Sequence, residues 1–153
     1  MAALRVGDIA PEFSLTDSSG QEVRLSELRG KKVVLYFFTM PGGNNCTRMA
    51  QGYRERAAGF AEKNAVIFGM NDKDAIAAQE WIERESLPFS VLLDTDRSVG
   101  IAYGMSAADS ERYVARPDDG RRPAVVIDEA GRIAAWEQDM NSVDQIEELL
   151  FKL

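Results

Sequence analysis

The stretch KKVVLYFF, residues 31–38, constrains the fold of this chain more than any other. Its apolar run from Val33 to Phe38 is rich in β-branched and aromatic residues and does not alternate with polar ones. Such a run marks a strand covered on both faces, at the centre of a sheet. It is far too short to cross a bilayer. Upstream, SLTDSSGQEVRLSEL predicts two short strands around a polar Gly turn. Downstream, TMPGGNN is a loop dense in Pro, Gly and Asn. From Thr47 to about Lys63 the period turns helical, with Met49, Tyr53, Ala57 and Phe60 on one stripe. AVIFGMN reads as a second buried strand, and DAIAAQEWIERES as a helix with Ile76, Trp81 and Ile82 among its apolar positions. FSVLLD is a third strand, and DRSVGIAYG a short helix closed by Gly104. SAADSERYVARPDDGRR reads as a polar loop with a short helical start. PAVVIDEAGRIAAWE reads as a hairpin turning on Asp-Glu-Ala-Gly. The last helix opens with a capping box of Ser142 and Gln145, ahead of Ile146, Leu149 and Leu150. Strands alternating with helices, then a hairpin, predict an α/β fold: a central mixed sheet flanked by helices, with an N-terminal β-hairpin. A length of 153 residues predicts one domain, residues 1–153.

Composition narrows the chemistry. The net charge of −7 argues against a nucleic-acid partner, because phosphate binding needs clustered Lys and Arg. The chain has no histidine, so an imidazole base and a Cys–His or Ser–His nucleophile pair are excluded. A zinc or haem site would need unusual ligands, and no metal or organic cofactor is expected. The only cysteine is Cys46, which rules out an internal disulfide and fits a reducing cytosol. The N-terminal MAALRVGD lacks the apolar run of a signal peptide, so a cytoplasmic protein without a membrane partner is expected.

Cys46 lies past the end of the central strand, where the next helix opens. Ligands in such sheets sit beyond the carboxyl ends of the strands. A helix start presents unpaired N–H groups and partial positive charge, and both favour thiolate over thiol. A lone cysteine in this position is a candidate nucleophile; the plain alternative is a small buried hydrophobe. Asn44 and Asn45 have a plain reading as turn and helix-cap residues, and Gly42 and Gly43 as a tight loop.

Four stretches resemble the peroxiredoxins. VGDIAPEFSLTDSSGQEVRLSELRGKKVVLYFF is similar to their opening, G-x-x-A-P-x-F-x-L followed by G-K-x-V-x-L-x-F. CTRMAQGYRE resembles the segment around their peroxidatic cysteine. LPFSVLLDTDRSVGIAYGM and RRPAVVIDEAGRI resemble stretches of the bacterioferritin-comigratory, or Q-type, branch. The resemblance covers nearly the whole chain. It implies a thioredoxin-like fold and a thiol peroxidase. The thiolate attacks one peroxide oxygen and becomes sulfenic acid, while the other oxygen leaves as water or alcohol.

Carried over by position, the resemblance implies Cys46 as the nucleophile and Arg122, six residues before Asp128, as its electrostatic partner. An arginine there can neutralise the thiolate and orient a peroxide through its fork of donors. Arg121 is the neighbouring alternative. Backbone N–H groups near Asn45 and Cys46 complete the anion site.

The chain also departs from the family pattern P-x-x-x-T-x-x-C. The family proline falls on Thr39 and its threonine on Gly43. A glutamate expected three residues after the cysteine is Met49, and the resolving-cysteine position of many Q-type members is Gln51. Pro41 stands near the missing proline. Thr39, Asn44 or Asn45 could supply the missing polar group, with Thr39 and Asn45 as the substrate-binding candidates.

The expected activity is reduction of hydrogen peroxide or a small organic hydroperoxide by one cysteine. The sulfenic acid is then recycled by an external thiol: thioredoxin, a glutaredoxin-like protein or a small thiol. The chain is expected to be a monomer or homodimer. The rival reading is a degraded domain acting as a thiol sensor, holdase or interaction module. A disulfide reductase would want C-x-x-C, which Cys46 and Met49 do not make.

Overall fold

The unbroken apolar run forms the middle strand of a five-stranded sheet. The computed structural model describes residues 4–105, 113, 123–137, 140 and 142–153. In chain order the elements are β1 (Ser14–Thr16), β2 (Glu22–Arg24), a 3-10 turn (Leu25–Leu28), β3 (Lys32–Phe37) and α1 (Asn44–Glu55). Then come α2 (Ala57–Glu62), β4 (Ala65–Asn71), α3 (Ala75–Glu85), β5 (Val91–Leu93) and α4 (Ser98–Ala102). The chain closes with β6 (Ala124–Ile127), β7 (Ile133–Glu137) and α5 (Val143–Phe151).

The sheet order is β5-β4-β3-β6-β7, and β1 with β2 forms the separate N-terminal hairpin. β3, β4 and β5 run parallel, while β6 and β7 join antiparallel, which makes the sheet mixed. Side chains alternate across a strand, so β3 feeds two cores. Val34, Tyr36 and Phe38 meet Met49, Ala50 and Tyr53 of α1, Phe60 of α2, Trp81 of α3 and Ile146 of α5 on one face. Val33, Leu35 and Phe37 meet Phe13, Leu25, Val99 and Tyr103 on the other. Each fully buried side chain of this size contributes roughly 1.5–3 kcal/mol. The thioredoxin-like α/β architecture expected from the sequence is the one observed.

Three details differ from expectation. The helix after the central strand starts at Asn44 rather than Thr47 and breaks at Arg56, whose backbone (φ −110°, ψ 7°) leaves helical geometry. The Arg56 guanidinium donates back to Gly52 O at 3.1 Å across that break, and α2 then carries Phe60 to the core. Ile76 is 71% exposed rather than part of the apolar face. Asp74 caps α3 by accepting from Ala77 N at 3.0 Å, which leaves Ile76 in the first turn, and the buried stripe begins at Ala78. The polar stretch 106–122 lies outside the described residues apart from Tyr113.

Candidate active site

The last rung of the central strand is Phe38 N donating to Met70 O at 3.2 Å. The next residue, Thr39, opens the loop to α1. Gly42 adopts φ +86°, a left-handed backbone that favours glycine, and a Cβ there would lie 3.1 Å from Nη2 of Arg84. Gly43 N donates to Met40 O at 3.2 Å, and Gly43 itself is extended (φ −65°, ψ 149°) as the N-cap of α1. Having no side chain, it leaves the helix without a side-chain cap. The capping role expected of Asn44 and Asn45 therefore falls to Gly43, one residue earlier, and both asparagines lie inside the first helical turn.

Cys46 occupies that first turn, 3% exposed, beyond the carboxyl end of β3. Its Sγ is 3.7 Å from Oγ1 of Thr39, a hydroxyl–thiol contact in which either atom can donate. Tyr36 OH donates to Cys46 O at 3.1 Å, fixing the helix start from the buried side. Trp81 Nε1 donates to Thr47 Oγ1 at 3.0 Å and ties the same turn to α3. Two of the sequence-predicted site residues, Thr39 and Cys46, thus come together. Asn45 is exposed in the first turn. Arg122 and its neighbour Arg121 lie outside the described residues. Their successor in sequence, Pro123, accepts from Phe37 N at 2.9 Å, next to the strand end that leads to Thr39.

The departures from the family pattern have structural counterparts. Met49 is fully buried in the core beneath Cys46, where an unpaired carboxylate would be costly. Gln51 donates to Glu85 Oε1 at 2.8 Å and links α1 to α3. A Cβ at Gly43 would lie 3.9 Å from Cys46 Sγ, so a side chain at that position touches the sulfur. Among the described residues, no group of three or more Cys, Asp or Glu side chains could hold a metal ion.

Sequence reasoning missed a second polar cluster at the same edge of the sheet. Asp94, fully buried after β5, accepts from Val99 N at 3.1 Å, Gly100 N at 2.7 Å and Tyr113 OH at 2.7 Å. Burial, reinforced by the Asp94 carboxylate, pushes the Tyr113 phenol well above its ordinary pKa. Asn71, at the end of β4, is also buried and donates to Phe38 O at 2.6 Å. The available signal was a polar residue closing each of two otherwise apolar strands, AVIFGMN and FSVLLD.

Comparison with known proteins gives consistent matches. The AhpC/TSA family model matches residues 6–136. A putative peroxiredoxin bcp of Coxiella burnetii is 32% identical over 133 residues, covering 87% of each chain. The crystal structure of peroxidoxin BcpB from Mycobacterium tuberculosis superposes with a TM-score of 0.85 at 22% identity, covering 97% of this chain and 96% of that one. A mutant of Xylella fastidiosa PrxQ gives a TM-score of 0.85 at 17% identity, covering 99% and 96%.

Proposed function

The chain belongs to the AhpC/TSA family, as a peroxiredoxin of the Bcp or Q-type branch, and from that membership we propose that Cys46 is the peroxidatic sulfur of a one-cysteine thiol peroxidase. The observation that carries this reading is the placement of the only sulfhydryl. It lies in the first turn of an uncapped helix, beyond the central strand, with the Thr39 hydroxyl 3.7 Å away.

The chemistry follows from that placement. The Cys46 thiolate attacks one oxygen of hydrogen peroxide or a small organic hydroperoxide. An S–O bond forms, the O–O bond breaks, and the departing oxygen takes a proton and leaves as water or alcohol. The uncapped N–H groups of α1 stabilise negative charge at the sulfur and on the oxygens in flight. Thr39, whose hydroxyl lies 3.7 Å from the sulfur, would orient the peroxide. Arg122 is assigned the electrostatic role by its position in the sequence, one residue before the Pro123 that pairs with Phe37. Asn45 contributes its backbone N–H in the same turn.

With no second cysteine in the chain, an external thiol attacks the sulfenic sulfur and displaces water, and a further thiol releases the mixed disulfide. Thioredoxin, a glutaredoxin-like protein or a small thiol could fill that role, and a reducing cytoplasm suits it.

The test mixes fully reduced protein with about one equivalent of hydrogen peroxide and follows Cys46 by intact mass spectrometry. Oxidation within seconds is expected, absent in Cys46→Ser and slowed about a hundredfold or more in Arg122→Ala. Oxidation no faster than that of a free thiol at the same pH, with Arg122→Ala indifferent, would overturn the peroxidase reading.

A further inference from the structure

Thr39, in contact with the sulfur, follows a peptide whose carbonyl is held by a buried side chain. The carbonyl of Phe38 and the N–H of Thr39 share a single rigid plane, so the direction of that carbonyl sets where the Thr39 side chain starts. β3 has ended here, and the ladder no longer fixes that plane. The Asn71 side chain does. Its Nδ2 donates to Phe38 O at 2.6 Å, while its Oδ1 accepts from Lys73 N at 3.0 Å. Asn71 is 1% exposed, and its own carbonyl accepts from Asp94 N at 2.8 Å. Both ends of the amide are therefore committed, and the residue bearing it is pinned between the ends of β3 and β5. The Phe38 ring packs against the Trp81 ring, with centroids 4.9 Å apart.

We propose that Asn71 is a positioning residue for the thiol site: it locks the Phe38–Thr39 peptide so that the Thr39 hydroxyl faces Cys46. It touches neither sulfur nor peroxide and acts through Thr39 alone. The assignment rests on the reading of Cys46 as the peroxide-reactive sulfur. It supplies by backbone clamping what a side chain at Gly43 would supply directly, since Thr39 is the hydroxyl in contact with the sulfur.

The test is a double-mutant cycle with two readouts on Cys46, oxidation by hydrogen peroxide and alkylation by iodoacetamide. Asn71→Asp has nearly the same shape and keeps an acceptor for Lys73 N, and while ionised it cannot donate to Phe38 O. Asn71→Ser is the second, neutral variant should the first fail to fold. Thr39→Val removes the hydroxyl.

Each single change is expected to slow peroxide oxidation by about tenfold. The double change should be no slower than the slower single, because both remove the same contact. Thr39→Ser, which keeps the hydroxyl, should remain sensitive to Asn71→Asp. Iodoacetamide, which has no use for an oriented hydroxyl, should react at a rate within about twofold of wild type. A merely structural role would instead loosen the site and change both reagents together.

Losses that multiply to about a hundredfold in the double variant, or equal effects on both reagents, would overturn the proposal. A wild-type Cys46 no faster with peroxide than a free thiol would instead overturn the peroxidase reading beneath it.

Discussion

Three helices follow the parallel strands at the carboxyl edge of this sheet, and two of them, α1 and α4, are built in opposite ways. After β5, the Asp94 carboxylate turns inward and accepts from Val99 N and Gly100 N at the start of α4, with Tyr113 OH on the same oxygen as Gly100 N. After β3, α1 starts on Gly43, which has no side chain to offer. α3 is capped by Asp74 and α5 by the Ser142 capping box. The difference is where the negative charge comes from. At α4 the Asp94 side chain supplies the acceptor oxygens, and the N–H groups are consumed by structure. At α1 nothing in the first turn is acidic, so the same kind of N–H groups stay available to a thiolate and to the oxygens of a peroxide. The missing side-chain cap forgoes a few tenths of a kcal/mol of stability, roughly the difference between Gly and a capping residue.

The comparison breaks first at the sealed corner. Asp94→Ala leaves two backbone donors and a phenol buried without an acceptor, and should destabilise the protein by about 3 kcal/mol or more. Urea unfolding monitored by circular dichroism measures this directly. A loss below about 1 kcal/mol would mean that water readily replaces the carboxylate and that the corner is not sealed.

The open corner is sharpened by filling it. The nearest atoms to a Cβ at Gly43 are Met40 O, at 3.4 Å, and Cys46 Cβ and Sγ, both 3.9 Å away, and the extended backbone there suits most residues. Gly43→Asp should cap α1 and stabilise the fold by a few tenths of a kcal/mol or more. It should also slow peroxide oxidation of Cys46 by about a hundredfold, because the new carboxylate takes the N–H groups and repels the thiolate. Gly43→Thr caps without charge and places a hydroxyl against the sulfur. It should quicken the oxidation, by about tenfold. Stopped-flow oxidation of both variants separates the two effects. Equal slowing by Asp and Thr would show that occupancy of the N–H groups, not charge, controls the site.

The sequence and the structure agree where a residue's role is set by its own neighbours along the chain. The apolar runs KKVVLYFF and AVIFGMN place β3 and β4 because covered strands need little else, and Ser142 with Gln145 announces α5 through a local motif. Cys46 was legible as a candidate because a strand, a Gly-rich loop and a helix start are successive in sequence. Thr39 was a candidate through the resemblance, as a stand-in for the family's missing threonine, and the fold brings its hydroxyl to 3.7 Å from Cys46 Sγ. The start of α1 was misplaced because Asn is read as a cap, while Gly43 takes the cap by backbone geometry alone. Asn71 was passed over because its partner lies on a neighbouring chain segment, and Asp94 because its local donors, Val99 N and Gly100 N, are joined by the distant Tyr113. Phe38 is 33 residues from Asn71, and Tyr113 is 19 from Asp94. A polar residue closing a buried strand says that a partner exists, and only the fold says which one.

A third carboxylate extends the comparison to acid. Asp17, 4% exposed in the turn between β1 and β2, accepts from Ser19 N at 2.9 Å, Ser19 Oγ at 2.7 Å and Gln21 N at 3.0 Å. Burial alone would raise its pKa, but the Ser19 hydroxyl and the backbone donors outweigh it and hold the carboxyl below the usual aspartate range. The adjacent Ser18 N donates to Val91 O at 2.8 Å, so this turn latches the hairpin to β5. A carboxyl whose folded-state value lies below its unfolded one stabilises fully above the unfolded value, about 4, and loses that contribution as the pH falls through and below it. Asp17→Asn, which keeps one acceptor but no charge, should therefore cost about 1 kcal/mol at pH 7. That gap should close as the pH falls below the ordinary aspartate range and through the lowered folded-state value, where the wild-type carboxyl protonates too. Urea midpoints of both proteins at the two pH values measure the gap. A difference that persists unchanged in acid would mean that Asp17 serves the turn by shape rather than charge, and that of the carboxylates compared here it is not one the fold uses as an anion.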